Sequence, residues 1–179
     1  MPKFTTLLAA VAAAAAIALP AAPAAFAQPA APSVSAAAPA KTQGWLSIYR
    51  GVAPQGVNAV QLRVVTDPPV GPRVVDRDGR SLYRFDKDTA NPSRSNCNDA
   101  CTTTWPPLLV SRGQALYVDG VDPALTGFVE RADGSCQITV AGWPVYYFSK
   151  DNKPGDLNGQ GVGGTWFAVA PTGGKALAK

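Results

Sequence analysis

Two aspartates stand at matching places in a segment that the chain uses twice, and paired carboxylates can carry acid–base chemistry. Asp88 ends the run YRFDKD, and Asp151 ends the run YYFSKD. If the two carboxylates met across a pseudo-twofold interface, one could act as the acid and the other as the base, as in glycosidases. Alternatively, each accepts hydrogen bonds from amides of the following loop, the usual structural reason for aspartate at a turn. Nothing in the chain supplies a deep cleft or a second catalytic group, so we assign no catalytic residue, and a small hydrolase is the alternative.

Three cysteines offer disulfide or thiol chemistry. Cys97 and Cys101 lie four residues apart in a short turn, a spacing that a disulfide can bridge, and an exported protein meets an oxidising environment. We therefore predict a Cys97–Cys101 disulfide that closes a small loop and stabilises little, with Cys136 unpaired. Two alternatives stay open: Cys136 pairs with one of the other two, or Cys97 and Cys101 cycle as a redox pair, although CxxxC is not the usual redox spacing. The spacing also matches no known metal motif.

Cofactor chemistry finds little support in the sequence. The chain has no histidine, and its one methionine is Met1. The commonest general base and common ligands of zinc, haem and copper are therefore missing. The run GQGVGG from Gly159 matches a dinucleotide fingerprint as a string, but the residues after it predict a strand where a phosphate site needs a helix. We predict no cofactor.

A loose calcium site is the remaining metal hypothesis. Asp151, Asp156 and Asn158 are its weak candidates, because oxygen-bearing side chains recur in this loop as in a calcium-binding loop. The twelfth position counted from Asp156 is Phe167 instead of a bidentate carboxylate, which excludes an EF-hand. The alternative is a polar, self-bonded turn.

The duplication extends beyond the aspartates and indicates how they are positioned. One block, with tyrosine, phenylalanine and aspartate, recurs at an offset of 63 residues, and a second block, with a tryptophan, recurs at an offset of 61. In a strand, a tyrosine and a phenylalanine two residues apart point to the same face, so we predict that these rings build a shared core with the tryptophans packed on them. The predicted motif residues, structural but able to serve binding, are Tyr83, Phe85, Asp88, Trp105, Tyr146, Phe148, Asp151 and Trp166.

Short β-strands are predicted throughout. An Asp-Gly turn at residues 78–79 and Gly142 each join two strand-like runs, which is typical of hairpins. Further strands are predicted at residues 62–65, 116–118 and 128–131, and no long amphipathic helix is apparent. The fold class is all-β: a compact antiparallel sandwich or barrel-like domain made of two pseudo-repeats.

The termini and composition set the boundaries. Residues 1–27 read as a signal peptide cleaved after Ala27, 28–43 as a disordered Ala/Pro-rich leader, and 172–179 as a flexible tail. Residues 44–171 form one domain, with repeats at about 73–110 and 137–171. Since no cysteine stands at the cleavage point and no other run is long and apolar enough to span a bilayer, we expect no lipid anchor and no membrane span.

The charge distribution argues against nucleic-acid binding. The formal net charge is only +4. A nucleic-acid protein would carry a clustered basic face, whereas the densest basic group here alternates with acids and is predicted to be a solvated, salt-bridged strand surface. That group consists of Arg73, Arg77, Arg80 and Arg84 among Asp76, Asp78 and Asp86.

The order of motifs resembles the bacterial secreted-repeat family, predicted lipoproteins and secreted proteins with a Tyr-x-aromatic-x-x-Asp motif. The matching runs are LYRFDKD, SNCNDAC, TWPPL, DPAL and VYYFSKDNKPGDLNGQGVGGTWF, within residues 73–171. The resemblance implies the two-repeat architecture and no established reaction. The chain departs from the pattern by lacking the lipoprotein cysteine and by carrying Cys136.

Together these features predict a non-catalytic secreted or cell-envelope module that binds a protein or cell-wall partner through its loops. The alternatives are a small hydrolase, a thiol-redox enzyme based on Cys97 and Cys101, and a calcium-stabilised envelope module. We expect an extracellular location, with association to the cell wall as an option.

Overall fold

Short strands joined by tight turns make up most of residues 38–177, the part of the chain that the structure, a computed structural model, describes. The predicted signal peptide, its cleavage site and residues 28–37 of the predicted leader lie outside the described residues, as do residues 178–179 of the predicted tail.

The twelve strands of the described part are short, and three brief helical turns interrupt them. The strands are β1 (Lys41–Gln43), β2 (Leu46–Arg50), β3 (Ala59–Asp67), β4 (Gly71–Val75), β5 (Tyr83–Phe85), β6 (Thr89–Ala90), β7 (Ser93–Arg94), β8 (Ala115–Asp119), β9 (Thr126–Glu130), β10 (Cys136–Val140), β11 (Trp143–Pro144) and β12 (Trp166–Ala168). The helical turns are α1 (Ala100–Thr104) and two 3₁₀ turns, Pro123–Leu125 and Val162–Gly164.

Four sheets form from these strands, and the all-β prediction is confirmed. The largest has the order β1-β2-β8-β3-β4, the next β11-β10-β9, and two strand pairs are β12-β5 and β6-β7. No closed barrel forms in the described part. Pairing is antiparallel except at β8, which enters the middle of the largest sheet and runs parallel to both β2 and β3. Parallel strands are joined by a long crossover connection, so no local turn signal in the sequence predicts their pairing.

Two apolar clusters divide the interior. The first fills the space between the five-stranded and three-stranded sheets with alternating aliphatic residues of each strand, such as Leu46 and Ile48 of β2. The second is mostly aromatic and holds the tyrosines and tryptophans of both repeats. The predicted Gly142 turn is present between β10 and β11, where Ala141 and Gly142 both have positive φ angles of 49° and 82°. A two-residue hairpin requires that geometry.

Both predicted domain boundaries need correction. Residues 41–43, assigned to the disordered leader, form β1. The Lys41 ammonium donates to two backbone carbonyls just before and at the start of β9, and the Gln43 side chain bonds both the N–H and the C=O of Phe128. At the other end, Ala176 is 2% exposed and its amide donates to a carbonyl of β12. Long-range pairing therefore orders segments whose composition favours disorder.

The predicted solvated arginine surface is also wrong in part. Arg73 is only 1% and Arg84 only 8% exposed. The Arg73 Nε–H donates to Ser81, and the Arg84 guanidinium lies 3.4 Å from the centre of the Trp143 ring. A planar, weakly hydrated guanidinium can be buried this way against an aromatic face. Within residues 38–177, no helix has the length and apolar character that crossing a membrane requires.

Candidate functional site

The two copies of the repeated unit are intertwined. Strand β5 of the first copy pairs with β12 of the second, so that Phe85 lies opposite Trp166. The reciprocal contact is an isolated antiparallel β-bridge between Tyr146 of the second copy and Pro107, which lies two residues after Trp105 of the first copy. Tyr83 and Tyr146 also exchange both backbone hydrogen bonds, at 2.8 and 2.9 Å. Neither copy can therefore form its strand pairing alone.

Four aromatic rings form one continuous stack across this interface. Trp105 and Trp166 lie at the centre with ring centroids 3.8 Å apart and planes 1° from parallel. Phe85 stacks on Trp166 at 4.1 Å, and Phe148 stacks on Trp105 at 4.3 Å, so each phenylalanine contacts the tryptophan of the other copy.

The tyrosines meet this stack edge-on. Tyr83 contacts Trp105 at 5.5 Å, and Tyr146 contacts Trp166 at 5.2 Å. The predicted shared core of tyrosine, phenylalanine and tryptophan rings is therefore present.

Each motif aspartate accepts a hydrogen bond from the tyrosine of the other copy. The Tyr83 hydroxyl donates to Asp151 Oδ2 at 2.6 Å, and the Tyr146 hydroxyl donates to Asp88 Oδ2 at 2.7 Å. All four side chains belong to buried residues. The sequence placed each aspartate at a turn but contained no signal that its phenol partner would come from the other copy.

The second oxygen of each carboxylate holds the loop behind it, as predicted. Asp88 Oδ1 accepts from the Asn96 amide at 2.7 Å, and Asp151 Oδ1 accepts from the Asn158 amide at 3.0 Å. Each aspartate thus ties a loop to the aromatic core through one oxygen and a tyrosine through the other.

Burial changes the acid–base properties of these groups. Desolvation is the main cause that raises the pKa of Asp88 to about 6, against the opposing effects of the Asn96 amide, the Tyr146 hydroxyl and the nearby arginines. Desolvation also raises the pKa of Tyr83 and Tyr146, and the neighbouring carboxylates raise it further. Both phenols are therefore protonated donors at any physiological pH.

The structure does not bring the two motif aspartates together as an acid–base pair. Among the described residues no hydrogen bond joins Asp88 to Asp151, and each carboxylate is occupied by one phenol and one loop amide. This arrangement has the geometry of a structural tie, because both oxygens of each carboxylate already have a hydrogen-bond partner.

The side chains of the calcium candidates also form hydrogen bonds within the protein. Asp156 Oδ2 accepts from the amides of Asn152 and Lys153, and the Asn158 side-chain amide donates to the Lys150 carbonyl. In residues 38–177, no group of three or more histidine, cysteine, aspartate or glutamate side chains is placed to hold a metal ion.

The two loops that follow the aspartates cover the aromatic cluster differently. After Asn96, Cys97 is fully buried and forms the predicted disulfide with Cys101, with Cα atoms 5.3 Å apart, while Cys136 is free. After Asn158, Gly159 takes the equivalent place, and a Cβ atom on it would lie 2.7 Å from the Tyr83 ring. The glycine of the dinucleotide-like string is thus required by close packing, and β12 follows as the predicted strand.

A buried arginine that sequence reasoning missed organises the first loop. Arg131, 6% exposed at the end of β9, donates from its two Nη atoms to Ser95 and Gln137 and to the Cys97 carbonyl and Asn98. Its Nε atom is buried and has no hydrogen-bond partner in the described part of the chain. Sequence indicated only that a strand ends there.

Three cavities border this first loop, residues 89–104, which we call loop one. The first, of about 510 Å³, lies between loop one, β1 and the edge of β9. The second, of about 410 Å³, and the third, of about 430 Å³, lie between loop one and the β9–β10 hairpin, and Arg131 lines both. The side chains of loop one that line them include Ser93, Arg94, Asn98, Asp99 and Thr102.

Comparison with known proteins identifies the repeat. Residues 64–109 and 127–170, which together span half of the chain, match a family model described as a secreted repeat of unknown function. Each match holds one full copy of the unit and begins about ten residues before the predicted start of its repeat. No curated protein and no solved structure matches the chain.

Proposed function

The chain belongs to the family of secreted repeats of unknown function, and we propose that it is a non-catalytic module of the cell envelope or extracellular space that binds a protein or cell-wall partner through loop one. The observation that carries this proposal is the placement of three cavities of about 510, 410 and 430 Å³ along loop one. Concave surface lined by a few polar groups is where ligands bind most often.

The contrast with the motif residues supports a binding role over catalysis. Both oxygens of Asp88 and of Asp151 are hydrogen-bonded within the core, so neither carboxylate is free to act on a substrate. Cys97 is fully buried in its disulfide, away from an attacking thiol. Loop one, in contrast, offers Arg94 and Asp99 as exposed side chains and Thr102 as a half-buried one.

Arg131 gives loop one a rigid base for such binding. Three of its hydrogen bonds go to Ser95, Cys97 and Asn98 of loop one, the fourth goes to Gln137 of β10, and the disulfide closes the loop further. A surface held in one conformation loses less conformational entropy on binding than a mobile one, which favours affinity.

The test uses the exposed Arg94 and the half-buried Thr102 of loop one. The double variant Arg94→Glu with Thr102→Arg inverts or adds charge at the cavities without touching the core. Binding of purified mature protein is measured by sedimentation with isolated cell-wall material and by retention on the extracellular protein fraction of the source organism. We expect wild-type protein to be retained and the variant to bind about tenfold more weakly, equivalent to about 1.4 kcal/mol.

A matched control lies in the loop of the second copy. Val162, 37% exposed in the 3₁₀ turn there, is replaced in Val162→Arg. This control is expected to bind like wild type. Absence of retention of the wild-type protein, or equal loss in both variants, would contradict a binding role for loop one.

A further inference from the structure

We propose that the aromatic stack and the two tyrosine–aspartate pairs form a one-electron relay, in which Tyr83 and Tyr146 are proton-coupled redox sites. The oxidant it would take is an outer-sphere metal complex that accepts one electron. This activity goes beyond partner binding and does not depend on it.

An electronic path runs through the aromatic stack. The indoles of Trp105 and Trp166 are parallel at 3.8 Å, and each also contacts one tyrosine edge, at 5.5 and 5.2 Å. Indole is the most easily oxidised neutral ring among protein side chains, and a stacked pair shares the resulting positive charge. Ring-to-ring contact removes distance as a barrier to electron transfer along Tyr83, Trp105, Trp166 and Tyr146.

Each of the two tyrosines also has a proton acceptor beside its hydroxyl. A phenol that loses an electron becomes a strong acid, so its oxidation is easy only where a base stands ready to take the proton. Asp151 Oδ2 is 2.6 Å from the Tyr83 oxygen and Asp88 Oδ2 is 2.7 Å from the Tyr146 oxygen, within the reach required of a general base. The two pairs are buried, which limits competing proton exchange with water.

The phenol–carboxylate pair occurs on both sides of the indoles. Holding the loops accounts for one oxygen of each carboxylate, which accepts from the Asn96 or Asn158 amide. The other oxygen of each carboxylate faces a phenol whose ring meets an indole edge-on.

Oxidation and the return reaction each move one electron and one proton. The metal complex takes one electron from the stacked indoles and is reduced, leaving an indole radical cation. Tyr83 then gives one electron to that cation and its phenolic proton to Asp151 Oδ2. The products are a neutral tyrosyl radical, neutral indoles and a neutral carboxylic acid. A reduced metal complex returns one electron to the tyrosyl radical, and the proton moves back from Asp151; Tyr146 and Asp88 react in the same way.

The experiment oxidises the folded protein with a photogenerated ruthenium(III) polypyridyl complex and follows the radicals by transient absorption and electron paramagnetic resonance. Wild-type protein is expected to form an indole radical that decays into a tyrosyl radical. In Asp88→Asn with Asp151→Asn, tyrosyl formation should slow by about 100-fold, the lower range of what a positioned base contributes, while the indole radical persists. Deuterated water should slow the wild-type step more than the residual step of this variant.

Two further variants separate the relay from a general property of tyrosines. Tyr83→Phe with Tyr146→Phe keeps the rings and should abolish the tyrosyl signal that grows in as the indole radical decays. Tyr147→Phe is the matched control, because Tyr147 donates to Asp76 at 3.0 Å but packs in the other apolar cluster, away from the indoles; its signal should equal that of wild type.

An unchanged tyrosyl yield in Tyr83→Phe with Tyr146→Phe, or an unchanged rate in the aspartate double variant, would overturn the proposal. Near-ultraviolet circular dichroism confirms that each variant is folded. If the asparagine variant is not folded, Asp151→Asn is combined with Tyr146→Phe, which isolates Tyr83; its tyrosyl formation should slow by about 100-fold relative to Tyr146→Phe alone, and an unchanged rate overturns the proposal equally.

Discussion

The loops that follow the two copies of the repeated unit cover the same aromatic cluster with different residues. Both begin with an aspartate that holds a loop amide, at Asn96 in the first copy and at Asn158 in the second. The next residue then covers the aromatic cluster. In loop one it is Cys97, fixed by a disulfide, and in the second loop it is Gly159, whose missing side chain lets the loop lie against Tyr83.

This difference shows which parts of the unit are constrained. The rings and carboxylates must match in both copies because each copy completes the other across the pseudo-twofold interface. The loops need only supply one amide and one closely packed residue, so they are free to diverge. Loop one differs from its counterpart by bordering three cavities, two of which are lined by Arg131.

The largest expected effect tests the equivalence of the two copies in the core. Trp105→Ala and Trp166→Ala should each lower the free energy of unfolding by about 4 kcal/mol, since each removes a large ring that is 4% or 5% exposed. Urea denaturation measures both. Values that differ by several kcal/mol would show that the copies do not share the core equally.

The next effect tests the need for glycine in the second loop. In Gly159→Ala, the new Cβ would lie 2.7 Å from the Tyr83 ring and 3.0 Å from Trp105, so we expect a loss of about 3 kcal/mol from overpacking. Thermal unfolding measures the loss. Gly174→Ala is the control, because its nearest atom would be 3.6 Å away and its φ angle is not positive; a similar loss there would show that the Tyr83 contact is not the cause.

A smaller effect is expected from opening the disulfide of loop one. The bridge spans a sequence separation of four residues, and chain entropy for so short a loop gives about 2 kcal/mol. Cys101→Ser should therefore lower the unfolding free energy by about that amount in denaturant titrations while the near-ultraviolet circular dichroism of the indoles is kept. Complete unfolding would mean that loop one, unlike its counterpart, is needed to form the core.

A pH-dependent effect is expected at Asp88. Its pKa is raised from 3.8 to about 6 in the folded protein, so the folded state binds more protons than the unfolded state between these values. The stabilisation from this proton is present below about pH 4 and is lost as pH rises through about 6, with a slope of at most about 1.4 kcal/mol per pH unit.

The stability difference between wild type and Asp88→Asn, measured from pH 4 to 7, isolates this slope from other carboxylates. We expect wild type to lose stability relative to the variant as pH rises through this range. A difference that is constant with pH would show that Asp88 titrates alike in the folded and unfolded states.

Much of the core could be predicted from local pattern. Tyrosine and phenylalanine two residues apart, followed by aspartate, indicate a strand and a turn, and their recurrence at Tyr146 and Phe148 indicates two copies. The Cys97–Cys101 bridge followed from spacing and compartment. Such features depend on neighbours along the chain, so residue types suffice to read them.

What only the tertiary structure decided depends on residues far apart in sequence. Four features each need a partner that no local sequence signal indicates. They are the hydrogen bond from Tyr83 to Asp151, the parallel pairing of β8, the ordered strand at residues 41–43 and the burial of Arg131. The sequence thus determined the duplicated unit, because its rings and turns are local choices. The crossing of the two copies was decided by folding, because burying both sets of rings requires each copy to complete the other.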